Sequence, residues 1–206
     1  MSLTNYTELK TAVGSWLGRS DLSSQIPDFI ALAELRLNRN LRTRQMIETV
    51  DLSVTAGTPT VTIPSDFLEI KDIYIDGSPR ISLTYLSPSA FTRDARAHES
   101  GQPVNYTMNG TQFILAPNPD SAYTIKLMYY AKPDALSDSN LTNTFTSNYM
   151  DALLYGSLIE AEPYLMNDAR AQVWGTLYNN AIQAINDSDQ ASEFSGVPLT
   201  MTVTSR

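Results

Sequence analysis

Cysteine is missing from all 206 positions, histidine occurs once, and the nine glycines are scattered singly along the chain. Without cysteine there are no disulfides and no thiolate zinc sites, which agrees with a reducing compartment. One histidine and no cysteine also leave too few soft ligands for a transition-metal centre. Ungrouped glycines exclude a phosphate-cradling glycine-rich loop. No apolar run reaches 18 residues, and the opening MSLTNYTELK carries neither a basic nor an apolar leader region. The sequence therefore predicts no membrane span and no secretion signal, and reads as a soluble intracellular product.

Positive charge is also scarce. Lys and Arg total 14 against 22 Asp and Glu, a formal net charge of −8. The long-range field of such a chain repels a nucleic-acid backbone, so no general affinity for DNA or RNA is expected. Hydrophobic residues at 42% and charged residues at 17% suit a folded globular unit, and the length suits one scaffold carrying a large insertion.

Periodicity sets out the elements. In NYTELKTAVGSWL, Tyr6, Leu9, Val13, Trp16 and Leu17 share a helical face, with Asn5 and Glu8 in capping-box spacing and Gly18 as the stop. A second helix is marked by Ile26, Phe29, Ile30, Ala33, Leu37 and Leu41, capped by Ser23 or Ser24, with Pro27 in its first turn. From Glu48 the composition turns to Val, Ile and Thr punctuated by Gly and Pro, which predicts strands. Asp76-Gly77 and Asn109-Gly110 are expected at type I′ hairpin turns, PSAFTRDAR in one or two helical turns, and residues 123–131 in the last strand. Helical period returns in YMDALLYGSLIEAEPYL, with Ser147 as cap and Pro163 at its end. A final helix follows, with Val173, Leu177, Ala181, Ile182 and Ile185 on its packed face and an antiparallel course to the one before.

The expected fold is α+β: a four-helix bundle with an all-β, sandwich- or barrel-like insertion between helices 2 and 3, and an extended C-terminal tail. The boundaries read as 1–47 and 135–189 for the two halves of the bundle, 48–134 for the insertion and 190–206 for the tail. Within that tail VPLTMTVT alternates Val197, Leu199, Met201 and Val203, a strand in search of an edge.

Enzymatic chemistry is not legible. His98 lies in a polar loop with no Cys or Gly-flanked Ser to serve. Among Asp66, Glu69, Asp72 and Asp76, strand spacing puts Asp72 and Asp76 on one face and Glu69 on the other, so no single constellation forms and solvated strand charge outweighs acid/base work or a hard-cation site. DSDQASE starts like a calcium loop, but Ser192 occupies the position of the obligatory turn glycine. Five Asn-x-Ser/Thr sequons, at Asn5, Asn105, Asn109, Asn140 and Asn186, follow from the Asn- and Thr-rich composition. Tyr106, Tyr123, Tyr129 and Tyr130 fall in strands, where they serve either a sheet core, a protein interface or a stacking platform for a sugar or single-stranded nucleic acid.

The anomaly is ALAELRLNRNLRTRQ, which sets Arg36, Arg39, Arg42 and Arg44 within nine residues of an acidic chain. Only Glu34 is near in sequence, and like charges three or four apart on a helix oppose one another. A tertiary or external carboxylate is the expected partner, and guanidinium suits carboxylate through paired hydrogen bonds. Contact with a protein, or with another copy of this chain, is favoured over nucleic acid.

Four strings, IPDFIALAELRLNRNLRTRQM, IPSDFLEIKDIYIDG, GQPVNYTMNGTQFILAPNPDSAYTIKLMYYAKPDALSDSN and YMDALLYGSLIEAEPYLMNDARAQVWGTLYNNAI, together resemble the head-to-tail adaptor (connector) proteins of tailed bacteriophages. The resemblance implies a non-enzymatic, cofactor-free virion protein at the head-tail junction, assembled in the host cytoplasm. It implies about twelve copies in a ring below the portal protein, extending the channel through which genomic DNA passes without sequence-specific binding. Downstream tail or nozzle proteins would attach to that ring, and the extended C-terminus would reach the portal. Arg36, Arg39, Arg42, Arg44, Val197, Leu199, Met201 and Val203 are the expected interface residues. The alternative is a carbohydrate- or receptor-binding virion protein acting through the β insertion; a hydrolase built on Asp72, Asp76 or His98 ranks last.

Overall fold

The computed structural model describes residues 3–165 and 168–193 and is a mixed α+β fold. It divides into two compact units, one of residues 1–45 and 133–206, the other of residues 46–132. Along the chain the helices are α1 (Tyr6–Leu17), α2 (Ile26–Asn40), α3 (Pro88–Arg93), α4 (Thr144–Asn148), α5 (Met150–Leu165) and α6 (Asp168–Glu193), of which α3 belongs to the second unit.

The first unit is organised by α5. Ala152, Leu153, Leu154, Gly156, Ser157, Leu158, Ala161 and Glu162 are all buried, so the helix has almost no solvent face. It is packed by α2 and α6, and less extensively by α1. Gly156 sets the closest approach: a Cβ there would stand 3.1 Å from Ala33 Cβ on α2 and 3.4 Å from the Tyr178 ring on α6. Glu162 accepts a 2.9 Å hydrogen bond from Trp174 Nε1, and Gly156 faces Tyr178, so α5 and α6 run antiparallel.

Local signals place the helix ends only in part. Asn5 Oδ1 accepts from Glu8 N–H at 3.0 Å, and Gly18 closes α1 in the left-handed region at φ +68°. Glu8 does not complete the capping box, because its carboxylate takes the Thr4 N–H at 2.7 Å. Neither Ser23 nor Ser24 caps α2. A preceding turn already satisfies the Gln25 and Ile26 N–H groups through Leu22 O at 3.0 Å, leaving Gln25 as the first residue of the cap. Ser147 lies inside α4, whose cap is Asn143 in a reciprocal box with Thr146. Pro163 lies inside α5 and does not end it. On α6, Ala181 is buried and Leu177, Ile182 and Ile185 are half-buried as expected, while Val173 is 54% exposed and Tyr178, which the sequence reading left out, is buried with them. Gln190 to Glu193, read from sequence as the start of the extended tail, continue α6.

The second unit carries β1 (Ile47–Val54), β2 (Thr60–Thr62), β3 (Phe67–Ile75), β4 (Ile81–Ser82), β5 (Thr84–Tyr85), β6 (Ser100–Gly101), β7 (Asn105–Asn109), β8 (Gln112–Ala116), β9 (Asn118–Pro119) and β10 (Tyr123–Ala131). Two four-stranded sheets, ordered β1-β10-β3-β4 and β2-β8-β7-β5, enclose one core, and β6 pairs separately with β9. Ile73, Ile75, Ile125, Leu127 and Tyr129 from the first sheet meet Val61, Tyr106, Phe113 and Leu115 from the second. Asn109-Gly110 does form a tight hairpin, shifted by one residue: Asn109 pairs with Gln112, and Gly110 opens the loop at φ +59°. Asp76-Gly77 lies instead in the five-residue loop between β3 and β4, where Gly77 has no positive φ.

Tyr129, 3% exposed, points its hydroxyl at Asp66, 3.1 Å from Oδ2. Burial and then the Asp66 charge push this phenol up to about 12 from 10.0. The neutral ring is thus the folded form. Its stabilisation is complete below pH 10, and is lost between pH 10 and 12 as the unfolded chain deprotonates first. Urea unfolding followed from pH 9 to 12 is expected to show a smaller alkaline loss for Tyr129→Phe than for the parent chain. Separately, Gly156→Val is expected to cost about 2 kcal/mol or more in the same assay, because two helices must retreat from one side chain.

Candidate functional site

The four arginines do not form one stripe. α2 ends at Asn40 and Leu41 is extended, so Arg42 and Arg44 leave the helix axis altogether. Arg42 folds back and Nη1 donates to Asn38 O at 2.8 Å and Leu41 O at 2.6 Å, capping the carbonyl end of α2. Arg44 binds Asp189 on α6, through its backbone N–H at 3.0 Å and Nε at 3.2 Å. Arg36 reaches across to α5, where Nε donates to Glu160 Oε1 at 2.8 Å and Nη2 contacts the same oxygen; its guanidinium also lies 5.8 Å from the Tyr178 ring. The tertiary carboxylates demanded by the sequence are therefore supplied largely from within the chain.

Glu34, the one acid near the arginines in sequence, is turned inward at 6% exposure. It accepts from Leu136 N–H at 3.2 Å and from Asn143 Nδ2 at 2.8 Å, tying the segment that returns from the second unit. The departing segment is tied too: the Tyr149 hydroxyl lies 2.8 Å from Thr43 Oγ1 and 2.7 Å from Gln45 Oε1.

Arg39 is different. It is exposed in the last turn of α2, and among the described residues it has no ion pair or hydrogen bond. With Leu32, Leu35, Arg36, Asn40 and Glu160 it lines a depression of 420 Å³. Leu32 and Leu35 are 46% and 42% exposed, and the spacing 32, 35, 39 puts them on one side of the helix with Arg39. An exposed apolar pair beside an unpaired guanidinium is the composition of a protein-contact surface. Sequence reasoning missed the two leucines. Their signal was apolar residues lying off the Ile26–Phe29–Ile30–Ala33–Leu37 stripe, in a helix that therefore has apolar character on two sides.

The other candidates are dispersed. Asp66 is occupied by Tyr129, Asp72 Oδ1 accepts from Ile73 N–H at 2.9 Å, and Asp76 lies 3.7 Å from Lys126, which also binds Asp51. Among the described residues no group of three His, Asp or Glu side chains is placed to hold a metal ion. Of the strand tyrosines, Tyr106 and Tyr129 are buried and Tyr123 and Tyr130 half-buried, with Lys71 Nζ 5.8 Å from the Tyr130 ring. Val197, Leu199, Met201 and Val203 lie outside the described residues. Among the described residues no helix is long and apolar enough to cross a membrane.

A double-mutant cycle on Arg36→Ala and Glu160→Ala is expected to give a coupling of up to about 1 kcal/mol by urea unfolding, modest because the arginine remains partly in water.

The model of one protein family, described as SU10 adaptor protein, matches residues 4–202. No curated protein matches the chain.

Proposed function

Because the chain belongs to the SU10 adaptor protein family, a family of structural phage virion proteins, we propose that it is the head-to-tail adaptor of a tailed phage. About twelve copies form a ring below the portal protein, extend the DNA channel and carry the downstream tail or nozzle proteins. α1, α2, α5 and α6 form the four-helix bundle of each copy, and the β unit is its insertion. The chain is assembled in the host cytoplasm and has no enzymatic step.

The observation that carries this reading is the family match across nearly the whole chain. Two features support it. The net charge of −8 suits a channel wall along which DNA must slide without adhering. The Leu32–Leu35–Arg39 surface supplies an apolar contact with a cation available to a carboxylate of the neighbouring chain. Arg36, Arg42 and Arg44 serve that interface indirectly, by fixing α2 and the segment after it, while the period-two segment from Val197 to Val203 makes a separate contact by strand addition.

Quantitative mass spectrometry of purified particles is expected to give a copy number of this chain close to that of the portal protein; absence from particles, or hundreds of copies, overturns the adaptor reading. In the same particles Arg39→Glu combined with Leu35→Asp is expected to lower incorporation severely while leaving the unfolding midpoint of the free chain nearly unchanged, since both side chains are exposed.

A further inference from the structure

The strand edges of the second unit are unequal. β4 has two residues, β2 three and β5 two, so those edges are blunted by shortness. β1 is an edge strand of eight residues. Its ladder with β10 runs without a bulge from Ile47↔Tyr130 to Val54↔Tyr123. It contains neither proline nor lysine, and among the described residues no backbone group outside β10 hydrogen-bonds to it. A regular edge of this length leaves alternate N–H and C=O groups facing outward, a template for one more strand. The core beside it is also incompletely covered: Val50 and Leu52 pack against the inner cluster but are only partly buried.

We propose that the segment Val197–Val203 of a second copy of this chain adds in parallel to the free edge of β1, with Val50, Leu52 and Val54 beside Leu199, Met201 and Val203. This rests on the reading that copies adjoin in the assembled particle. Thirteen residues follow Glu193, enough to supply a strand of seven. Val197, Leu199, Met201 and Val203 extend the row of Val50, Leu52 and Val54 over the core, and Thr200 and Thr202 continue the outward row of Thr49 and Ser53. In a strand the side chains that share a face also point their backbone N–H and C=O groups to the same side. On β1 the N–H and C=O groups of Val50, Leu52 and Val54 face β10, because β10 turns its even-numbered residues toward β3, where Thr124 O accepts from Asp76 N–H; the free groups are those of Thr49, Asp51 and Ser53. In a parallel pair the bonds are offset by one residue, so the apolar set bonds to those free groups and Pro198 falls among the residues that turn away. A missing N–H costs nothing there, and it blunts the new edge. The segment carries no carboxylate to oppose Glu48 or Asp51 of β1.

The absence of cysteine makes the test direct. Particles are assembled from a mixture of two full-length variants, an isotope-labelled Ser53→Cys chain and an unlabelled Thr202→Cys chain, and treated with a short bis-maleimide. The expected result is a peptide joining position 53 of a labelled chain to position 202 of an unlabelled one. That link is expected to be lost with Met201→Pro, which removes an N–H facing β1, and kept with Thr200→Pro, whose N–H faces away. Where a cysteine variant is not incorporated, Thr49→Cys and Thr200→Cys read the same two faces. Particles that contain both chains without the link, a link confined to a single chain, or a link from position 202 to a different protein each overturn this proposal. Particles that lack the chain overturn the adaptor reading instead.

Discussion

The burial of α5 on every side is the constraint from which the rest of the helical unit follows. A helix carrying Leu153, Leu154, Leu158 and Ala161 around its circumference must be enclosed, and the small residues Gly156 and Ala33 let α2 come close enough to do it. With α2 seated there, Arg36 falls within reach of Glu160, and Arg39, one turn later, does not. The outward surface of Leu32, Leu35 and Arg39 is thus a by-product of how α5 is covered. The same enclosure requires α6 to present Tyr178, whose ring stands against both Gly156 and the Arg36 guanidinium.

The chain leaves the helical unit after Gln45 and returns at Pro133, and polar contacts fix both crossings. On the way out, Thr43 and Gln45 meet the Tyr149 hydroxyl; on the way back, Leu136 and Asn143 meet the Glu34 carboxylate. Both anchors are buried or nearly so, where an unsatisfied partner is costly. An insertion of this size is tolerated because its two ends are held by the host unit, while its own core, centred on Phe113, Leu115, Ile125 and Leu127, closes independently of the helices.

Local order was well marked in the residues. The period of α1 and α2, the Asn5 cap, the Gly18 stop, the β10 strand and the Asn109-Gly110 turn region all rest on interactions within a few positions, which a sequence displays directly. The errors have the same origin. Ser147 and Pro163 are sound terminus signals by composition, yet Asn143 offered a better reciprocal cap and tertiary packing carried α5 past its proline. Val173 satisfied the helical period of α6 yet is exposed, while Tyr178 joined Ala181 on the packed face because Gly156 opened space for its ring.

What the sequence determined alone was the alternation of helical and strand segments, the acidic balance, the lack of cysteine chemistry and the concentration of four arginines in an unlikely place. What only the tertiary structure decided was the fate of each arginine. Glu160 is 124 residues from Arg36 and Asp189 is 145 from Arg44, so no local pattern assigns those pairs. Side-chain direction on a helix is local, but the carboxylate that meets it belongs to another element. Packing alone determines which cations are used to hold the fold and which, like Arg39, stay exposed with no ion pair among the described residues.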